Sequence, residues 1–306
     1  MFDAAEARRL AREDAWCLPL PGGGRTAQRL CALRDLGRDD LSLARIAEAH
    51  CDALAILAEG GRLPRPGALY GVWASDGPQS RLHASRVGAE WRVEGTKQYC
   101  SGASFVTAAL ITAHDAGGVL LFDVALDAPG IVVQPTTWAS PALGDTATCP
   151  VAFHDVALGE RCLVGGPGWY LERAGFWHGA LGPAACWAGG AAFLVDAARA
   201  LNRRDPHSRA HLGALEAAAW QLTALLEAAG REVDADPHDD TGQARRRALM
   251  VRHLIERIST EVLDRFGRAT GPQLLAFDAQ VARQHAALAL YIRQCHAERD
   301  LETIPA

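Results

Sequence analysis

The periodicity of apolar residues changes twice along the chain, and this change constrains the fold more than any other feature. From about residue 26 to 60 the apolar side chains recur at three- and four-residue spacing, behind the cap candidates Asp39 and Asp40. This spacing predicts an amphipathic helix that ends at Gly60-Gly61, where glycine removes the preference for helical backbone. The first part of the chain is therefore expected to be helical.

A different pattern begins at about residue 66. Short β-rich runs follow one another up to residue 163, separated by glycine, proline and aspartate, which predicts an antiparallel barrel or sandwich. Helical spacing then returns, and several apolar stripes predict an antiparallel helix bundle. The predicted fold class is α+β, with an N-terminal helical region (1–65), a central antiparallel β-domain (66–163) and a C-terminal helical bundle (164–306).

Four stripes define the predicted bundle. The first contains small residues that permit close approach of helices, and the others contain larger apolar residues. Their members are Ala188, Ala191, Ala192, Val195 and Ala198; Leu212, Leu215, Ala219, Leu222 and Leu226; Val251, Leu254, Ile255, Ile258 and Val262; and Val281, His285, Leu288, Ile292 and Cys295. The last stripe predicts a helix that continues without a break from residue 281 to residue 295.

Composition narrows the classes of function. The chain has 306 residues and a net charge of −5, which argues against a general nucleic-acid binder because phosphate neutralisation needs a basic surface. The eight cysteines are scattered without a CxxC pair or a metal-site spacing, so we expect reduced thiols, no metal and a cytoplasmic protein. The N-terminus has no apolar signal core, and no stretch is expected to span a membrane.

Five segments in order resemble the middle domain of the acyl-CoA dehydrogenase family. They are LYGVWASDGPQS, WRVEGTKQYCSGAS, LLFDVALDAPGIVV, VAFHDVAL and CLVGGPGWYLE. The resemblance runs from about Leu69 to Gly189 and continues more weakly through the last helices. It implies a flavin-dependent oxidoreductase, with FAD held against the β-domain.

The resemblance also implies which residues contact the cofactor. In the segment KQYCSG, Tyr99 takes the place of an aromatic residue against the flavin ring, Cys100 follows it, and Ser101 takes the place of a hydroxyl residue that touches the ring. A flat ring needs stacking partners, and its heteroatoms need hydrogen bonds. In the segment VWASDGPQS, the resemblance implies contacts from Trp73 and Ser75, and from Ser80 toward the pyrophosphate.

The chain departs from the family in three respects. The helical region before the β-domain is short, and neither the Arg-x-x-Phe pair nor the Gln-x-x-Gly-Gly loop that grips a neighbouring subunit's flavin is preserved, which predicts weak or lost FAD binding. The catalytic glutamate is also missing. Tyr-Ile-Arg, residues 291 to 293, stands at one of its known positions, and Gly179 beside His178 stands at the other.

Histidines offer replacements for the missing base. His178 is the first candidate, because an imidazole with a pKa near ~6.5 exchanges protons near neutral pH. The alternative is a capping or interface histidine beside Trp177. His50 and His285 lie on apolar stripes, where a histidine is usually part of the core. Their helices are nevertheless expected to line the flavin cavity, so His285 is a catalytic candidate and His50 a substrate-binding one.

A charged cluster near the C-terminus has two interpretations. His296, Glu298, Arg299 and Asp300 have the spacing of a side-chain network that locks the last helix. Alternatively, Arg299 binds an anionic group of the cofactor or the substrate.

Three functions remain open from the sequence. The first is a flavin-dependent oxidoreductase that acts on an atypical acyl or acyl-carrier substrate, with His178 in place of the glutamate. The second is a flavin-dependent monooxygenase on the same fold, in which His285 acts near the flavin. The third is a non-catalytic binding or scaffold protein. The expected partners are a small-molecule or acyl-thioester substrate and further copies of the chain, in a homodimer or homotetramer formed through the C-terminal bundle.

Overall fold

The N-terminal region contains three helices rather than one. The structure, a computed structural model of the chain, describes residues 3–77 and 80–304. The helices are α1 (Ala4–Arg12), α2 (Thr26–Asp39) and α3 (Leu41–Glu59). Asp40 separates α2 from α3 because its backbone is extended and its carboxylate accepts hydrogen bonds from the Ser42 and Leu43 N–H groups, at 2.9 and 3.2 Å. The predicted cap is therefore confirmed, and it divides the predicted helix.

Eight strands follow in a single sheet. They are β1 (Tyr70–Trp73), β2 (Arg81–Val87), β3 (Glu90–Cys100), β4 (Ala108–Asp115), β5 (Gly118–Ala125), β6 (Ile131–Val133), β7 (Cys149–Gly159) and β8 (Leu163–Val164). The order across the sheet is β6-β7-β3-β2-β4-β5-β8, and β1 pairs with β4. Five pairings are antiparallel, whereas β1 with β4 and the single contact of β2 with β4 are parallel. The predicted antiparallel β-domain is confirmed.

The rest of the chain is helical. Its helices are α4 (Trp169–Glu172), α5 (Ala174–Gly179), α6 (Leu181–Ala200), α7 (Pro206–Ala235), α8 (Ala244–Thr270), α9 (Pro272–Phe277), α10 (Ala279–Tyr291) and α11 (Glu298–Glu302). Helix α6 is central and packs against α2, α3, α7, α8 and α10. The N-terminal helices α2 and α3 thus share one apolar core with the C-terminal bundle.

Small residues allow the central packing. Ala188, Ala191 and Val195 of the predicted small-residue stripe are buried. A Cβ atom added to Gly189 would lie 2.0 Å from the Arg34 carbonyl oxygen on α2, so only glycine permits this approach of α6 to α2. The predicted close contact is confirmed. Glycine residues contribute to it in addition to the predicted alanines.

The prediction of a continuous last helix is wrong. Helix α10 ends at Tyr291, a 3-10 turn spans Ile292–Gln294, and α11 begins only at Glu298. Ala297 has a φ of 48°, a conformation that interrupts a right-handed helix. The Asp300 carboxylate accepts a hydrogen bond from the His296 N–H at 3.2 Å, which stabilises the break.

One helical segment satisfies the length and composition of a membrane span. It covers Ala174–Ala200, and 67% of its most apolar window is buried inside the protein. The burial is that of a core helix, because α6 packs against α2, α3 and α8. All eight cysteines are free.

Candidate functional site

A cavity of about 630 Å³ lies between the sheet and the helices. We call its two sides the β wall and the helical wall. The β wall consists of Val72, Trp73, Ser75, Lys97, Tyr99, Cys100, Ser101, Thr146 and Thr148. The helical wall consists of Arg45, Arg252, Leu290, Tyr291, Arg293, Gln294 and His296. Trp138 and Leu143, from the loop between β6 and β7, also border the cavity.

The β wall presents an indole ring and a chain of hydroxyl groups. The Trp73 Nε1–H donates a hydrogen bond to the Ser101 carbonyl oxygen at 3.1 Å, which fixes the indole beside the turn after β3. The Thr148 hydroxyl donates to Ser101 Oγ at 3.1 Å, and Thr146 Oγ1 lies 2.9 Å from Thr148 Oγ1. Gly102 lets the turn close, because it has a φ of 78° and a Cβ there would lie 2.5 Å from Val106 Cγ1.

A buried lysine supports the β wall from below. Lys97 forms an ion pair with Asp76 and donates to Thr112 Oγ1 at 2.8 Å. Burial lowers the pKa of Lys97, and the Asp76 carboxylate opposes that effect. His114 Nε2 lies 2.5 Å from the other oxygen of Asp76, so the carboxylate is held from two sides. The pair fixes the end of β1 against β3 and β4.

The structure brings five of the six predicted cofactor residues together. Trp73, Ser75, Tyr99, Cys100 and Ser101 all line the cavity. Tyr99 is 63% exposed and stands at the rim.

Two of the predicted cofactor residues are buried. Cys100 lies in the cavity wall, and Ser80 does not line the cavity. Cys100 is fully buried, and burial raises the pKa of its thiol, so it is an inert wall residue rather than a reactive one. Ser80 is also buried, and its hydroxyl accepts a hydrogen bond from the Gln98 N–H at 3.0 Å beside the cavity. The neighbouring Pro78 and Gln79 of the predicted segment lie outside the described residues.

The helical wall is cationic. Arg45 pairs with Glu48 at 3.4 Å, and Arg293 pairs with Glu256 at 2.5 Å. Arg252 donates instead to two carbonyl oxygens, of Ala180 at 2.7 Å and Gln294 at 3.0 Å. No aspartate or glutamate lines the cavity anywhere in residues 3–77 and 80–304.

Tyr291 adds a hydroxyl to this wall. It is 1% exposed, and its hydroxyl oxygen interacts with the Arg45 guanidinium but donates no hydrogen bond to any described residue. Burial raises the pKa of Tyr291 well above its usual value, so the group is a hydrogen-bond donor at neutral pH rather than a base. Tyr291 lines the cavity and directly precedes Ile292, the position at which the sequence resemblance predicted the missing glutamate.

Two carboxylates lie behind the helical wall, that of the buried Glu48 and that of the half-buried Asp52. A Cβ atom added to Gly182 would lie 2.6 Å from Glu48 Oε1, and one added to Gly179 would lie 2.6 Å from Asp52 Oδ1. Burial, and then the charge of Asp52, raises the pKa of Glu48 to about 7. Burial also raises the pKa of Asp52. The glycines of α5 and α6 therefore leave space for carboxylates that α3 supplies.

His178, the first candidate for the base, is in a different place. It is 3% exposed and lines a separate cavity of about 260 Å³ with Glu59, Arg173 and Pro237. Its Nε2–H donates to the Pro237 carbonyl oxygen at 3.1 Å, and burial lowers its pKa. The ring of His178 thus lies at the contact of α5 with the loop after α7 and does not line the cavity between the sheet and the bundle.

The other predicted residues also lie away from the cavity. His50 is buried at the contact of α3 with β1, where its Nδ1 accepts from the Tyr70 N–H at 3.2 Å and burial lowers its pKa to about 4. His285 packs on the Phe266 ring of α8, with ring centroids 6.2 Å apart. Arg299 is exposed on α11. The predicted network near it is represented by the His296–Asp300 pair at 3.4 Å.

Sequence reasoning missed the helical wall and the two threonines of the β wall. Arg45 and Glu48 lie between the positions of the apolar stripe on α3, and that helix is buried on nearly all sides. A charged residue at every third or fourth position of an otherwise apolar helix was the available signal. For Thr146 and Thr148, the available signal was the alternation of small hydroxyl residues in DTATC.

The cavity has the chemistry that a flavin requires. Its volume is in the range of small-molecule sites, roughly 300 to 1,000 Å³. The β wall offers aromatic faces for a flat ring together with hydroxyl groups, and the helical wall offers guanidinium donors for anionic oxygens. A buried tyrosine hydroxyl that donates to no described residue indicates that a ligand atom completes the site.

Helices, an antiparallel-rich sheet and a helical bundle, with a cavity between sheet and bundle, define the acyl-CoA dehydrogenase fold. The resemblance in the sequence predicted this fold, and comparison with solved structures confirms it. KijD3 in complex with FMN and an amino-keto dTDP-sugar has a TM-score of 0.83 at 17% identity, over 100% of this chain and 86% of that one.

Two further structures have the same fold. Methanesulfinate monooxygenase MsuC from Pseudomonas fluorescens has a TM-score of 0.80 at 18% identity, over 100% of this chain and 96% of that one. Glutaryl-CoA dehydrogenase from Mycobacterium smegmatis has a TM-score of 0.81 at 18% identity, over 97% and 85%. No known family model and no curated protein sequence matches the chain.

Proposed function

We propose that this protein is a flavin-dependent oxidoreductase that works without a carboxylate base in its cavity. The observation that carries the proposal is the cavity itself, in which aromatic and hydroxyl groups on one side face guanidinium groups and Tyr291 on the other. The fold supports it, since structures of this fold bind FMN, as in KijD3, or FADH2, as in a glutaryl-CoA dehydrogenase. FAD is the proposed cofactor from the sequence resemblance, and FMN is the alternative.

The residues of the cavity have distinct proposed tasks. Trp73 and Tyr99 provide aromatic faces, and Ser101, with Thr148 behind it, provides a hydroxyl to a ring heteroatom. Tyr291 donates a hydrogen bond, because its raised pKa keeps its proton in place. When bound, the flavin would exchange electrons with the substrate. The protein orients both partners and supplies no strong base.

The type of oxidation follows from the missing carboxylate. Dehydrogenation of an acyl thioester requires a base that removes the α-proton, and proton transfer requires hydrogen-bond reach. Among the described residues that line the cavity, His296 is the one with an imidazole side chain, and it stands exposed at the rim. This favours a second candidate, a flavin-dependent monooxygenase, over ordinary acyl-CoA dehydrogenation. An atypical acyl substrate that needs no strong base remains compatible with the cavity.

One set of measurements tests these proposals. The purified protein is reconstituted separately with FAD and with FMN, its absorbance near 450 nm is recorded, and the released cofactor is identified by mass spectrometry. A protein that takes up neither flavin contradicts the proposal and supports the non-catalytic scaffold. With flavin present, anaerobic bleaching by short acyl-CoA thioesters supports dehydrogenation. Oxygen consumption that depends on added substrate and reduced flavin supports the monooxygenase.

A second copy of the chain is the proposed partner. Trp220 on α7 is 72% exposed and lines, with Leu254 and Ile258 of α8, an open groove of about 1150 Å³. Exposed apolar patches of this kind mark interaction surfaces. We expect Trp220→Asp to convert an oligomer to a monomer, as measured by light scattering after size-exclusion chromatography. An unchanged molar mass, or a monomeric parent protein, contradicts this assignment.

A further inference from the structure

The three guanidinium groups of the helical wall differ in what balances their charge. Arg45 has the Glu48 carboxylate at 3.4 Å, and Arg293 has the Glu256 carboxylate at 2.5 Å. Arg252 forms no ion pair with any carboxylate of the described chain, and its two printed hydrogen bonds go to carbonyl oxygens. A carbonyl oxygen carries only a partial negative charge, and the Asp300 and Glu48 carboxylates act on Arg252 through space without forming an ion pair with it.

Arg252 also keeps donors free for a ligand. A guanidinium group has five N–H donors in a planar fork, and two are used by the Ala180 and Gln294 carbonyl oxygens. The group is rigidly held, because its Cζ lies 4.8 Å from the centroid of the Trp187 ring. An oriented cation with free donors at a cavity wall is typical of a site for carboxylate, sulfonate or phosphate oxygens.

Tyr291 is the second, independent observation. The Tyr291 ring packs against the Trp187 indole, which also contacts Arg252, and the centroids of the two rings are 6.1 Å apart. Its hydroxyl is buried at the cavity and donates no hydrogen bond to any described residue, although the Arg45 guanidinium interacts with its oxygen, and buried donors without acceptors are rare. Arg45, with its Cζ 5.9 Å from the Tyr291 ring centroid, adds positive potential on the same wall.

We propose that Arg252 and Tyr291 form a subsite for the anionic group of the substrate, so that the substrate is a small organic anion with a carboxylate, sulfonate or phosphate group. The inference rests on the proposed function, because it assigns the helical wall of the same cavity to the substrate and the β wall to the flavin. No lining carboxylate in residues 3–77 and 80–304 opposes an anion there.

A flavin phosphate has the same chemistry as the proposed ligand. Anionic oxygens at Arg252 come either from the substrate or from the cofactor, and the two sources are separated by comparing FMN with riboflavin, which lacks the phosphate. Loss of a flavin-phosphate contact weakens FMN binding and leaves riboflavin binding unchanged. Loss of a substrate contact changes neither.

The experiment is a calorimetric titration of the full-length protein, both without flavin and loaded with FMN. The probes are butyrate, methanesulfonate and inorganic phosphate, and butyramide is the uncharged match of butyrate. The variants are Arg252→Met, Tyr291→Phe and the control Arg299→Met, which removes an exposed arginine outside the cavity. Flavin fluorescence quenching by FMN and by riboflavin is measured for each variant.

The expected loss of anion affinity differs among the variants. Wild-type protein binds at least one anionic probe and binds butyramide more weakly than butyrate. Arg252→Met weakens anion binding by about 10- to 100-fold, the range for losing a charged hydrogen bond, and leaves the FMN affinity unchanged. Tyr291→Phe weakens anion binding by about 3- to 10-fold. Arg299→Met changes nothing.

Tyr291→Phe protects the test against misfolding. Arg252 supports two loops through its carbonyl contacts, so Arg252→Met is accepted only with an unchanged thermal unfolding profile. The Tyr291 hydroxyl donates to no described residue, so its removal should disturb the fold less than Arg252→Met does, and a weaker anion affinity with an unchanged thermal unfolding profile then reports on the subsite.

Four results contradict the subsite. They are no binding of any anionic probe to wild-type protein, equal affinities for butyrate and butyramide, unchanged anion affinity in both variants, and weakened FMN but unchanged riboflavin binding in Arg252→Met. The last result assigns Arg252 to the flavin phosphate. The proposed function is tested separately. It fails if wild-type protein takes up no flavin, and the anion titration of the flavin-free protein still tests the subsite in that case.

Discussion

The β wall comes from three short segments of the β-domain, residues 72–75, 97–101 and 146–148, whereas the helical wall is assembled from α3, α8, the end of α10 and the chain after it. On the β wall, Trp73, Ser101 and Thr148 are joined by hydrogen bonds of 3.1 Å within the sheet and its connections. On the helical wall, Arg252 reaches carbonyl oxygens of two other elements, and its charge has no carboxylate partner in the described chain.

This difference indicates that the two walls have different roles in ligand binding. Hydrogen bonds satisfy the β wall internally, so it offers a stable surface against which a flat ring can bind. The helical wall keeps unsatisfied charge and an unsatisfied hydroxyl, which favours a ligand that supplies the missing partners. Carboxylates are present in the protein near this wall, but they lie behind it, at Glu48 and Asp52.

The largest expected effect concerns the ion pair that supports the β wall. Lys97→Met leaves Asp76 without its buried partner, and we expect a loss of about 3 kcal/mol in the free energy of unfolding, measured by urea denaturation. The matched control is Arg268→Met on α8, which breaks an exposed pair with Asp264 at 2.5 Å and should cost less than about 1 kcal/mol. Equal losses for the two variants would show that the β wall is not held by this pair.

The next effect tests the carboxylate behind the helical wall. Because the pKa of Glu48 is raised to about 7 in the folded protein, the folded state holds a proton that the unfolded state releases above pH 4.5. Stability should therefore fall as pH rises from about 4.5 to about 7, by roughly 2 to 3 kcal/mol. Glu48→Gln should match the wild-type protein at pH 5 and exceed its unfolding free energy by that amount at pH 8.

His50, on another side of the same helix, gives the opposite sign and serves as the comparison. Its pKa is lowered to about 4, so the unfolded chain takes up a proton that the folded chain does not. Stability from this group is present above pH 6.5 and is lost as pH falls toward 4. His50→Gln should thus flatten the acid side of the stability profile and leave the alkaline side unchanged.

A Glu48→Gln profile parallel to that of the wild type at all pH values contradicts the buried position of Glu48.

A third prediction tests the flavin assignment of the β wall. Ser101→Leu adds volume where the hydroxyl chain meets the cavity, and overpacking of this kind costs about 2 kcal/mol, or roughly 30-fold in flavin affinity. Ser104→Leu, at an exposed position of the same turn, is the control and should bind flavin like the wild type. Fluorescence titration gives both affinities. Flavin binding that is unaffected by Ser101→Leu would place the cofactor elsewhere.

The smallest effect concerns the second cavity. His178→Ala removes a hydrogen bond to Pro237 and a buried ring, so a loss of about 1 to 2 kcal/mol in stability is expected. Flavin affinity and anion affinity should not change, because the residue lines neither wall. Thermal unfolding and the titrations described above provide the readouts. A change in flavin spectrum or affinity in this variant restores His178 as a candidate for the base.

Much of the fold and half of the site could be predicted from the sequence. The positions of Trp73 and Ser101 followed from contiguous segments, since neighbours along a strand and its turn stay neighbours in space. His178 was predicted at the flavin because it stands beside a position of the family's glutamate, and His50 and His285 because their helices were expected to line the flavin cavity. Their rings instead face a strand, a loop and α8, and the direction of a side chain around a helix axis depends on which neighbours pack against it.

The sequence by itself determined the order of helices, strands and helices, because apolar periodicity is a local property of each segment. It also determined the part of the β wall that two short segments supply, residues 73–75 and 99–101. Only the tertiary structure decided that Arg45, Arg252 and Tyr291 meet on one surface, that the carboxylates of α3 lie behind it, and that α10 ends at the cavity. The physical reason is that packing between distant segments, at glycines such as Gly182 and Gly189, fixes which face of each helix meets the cavity.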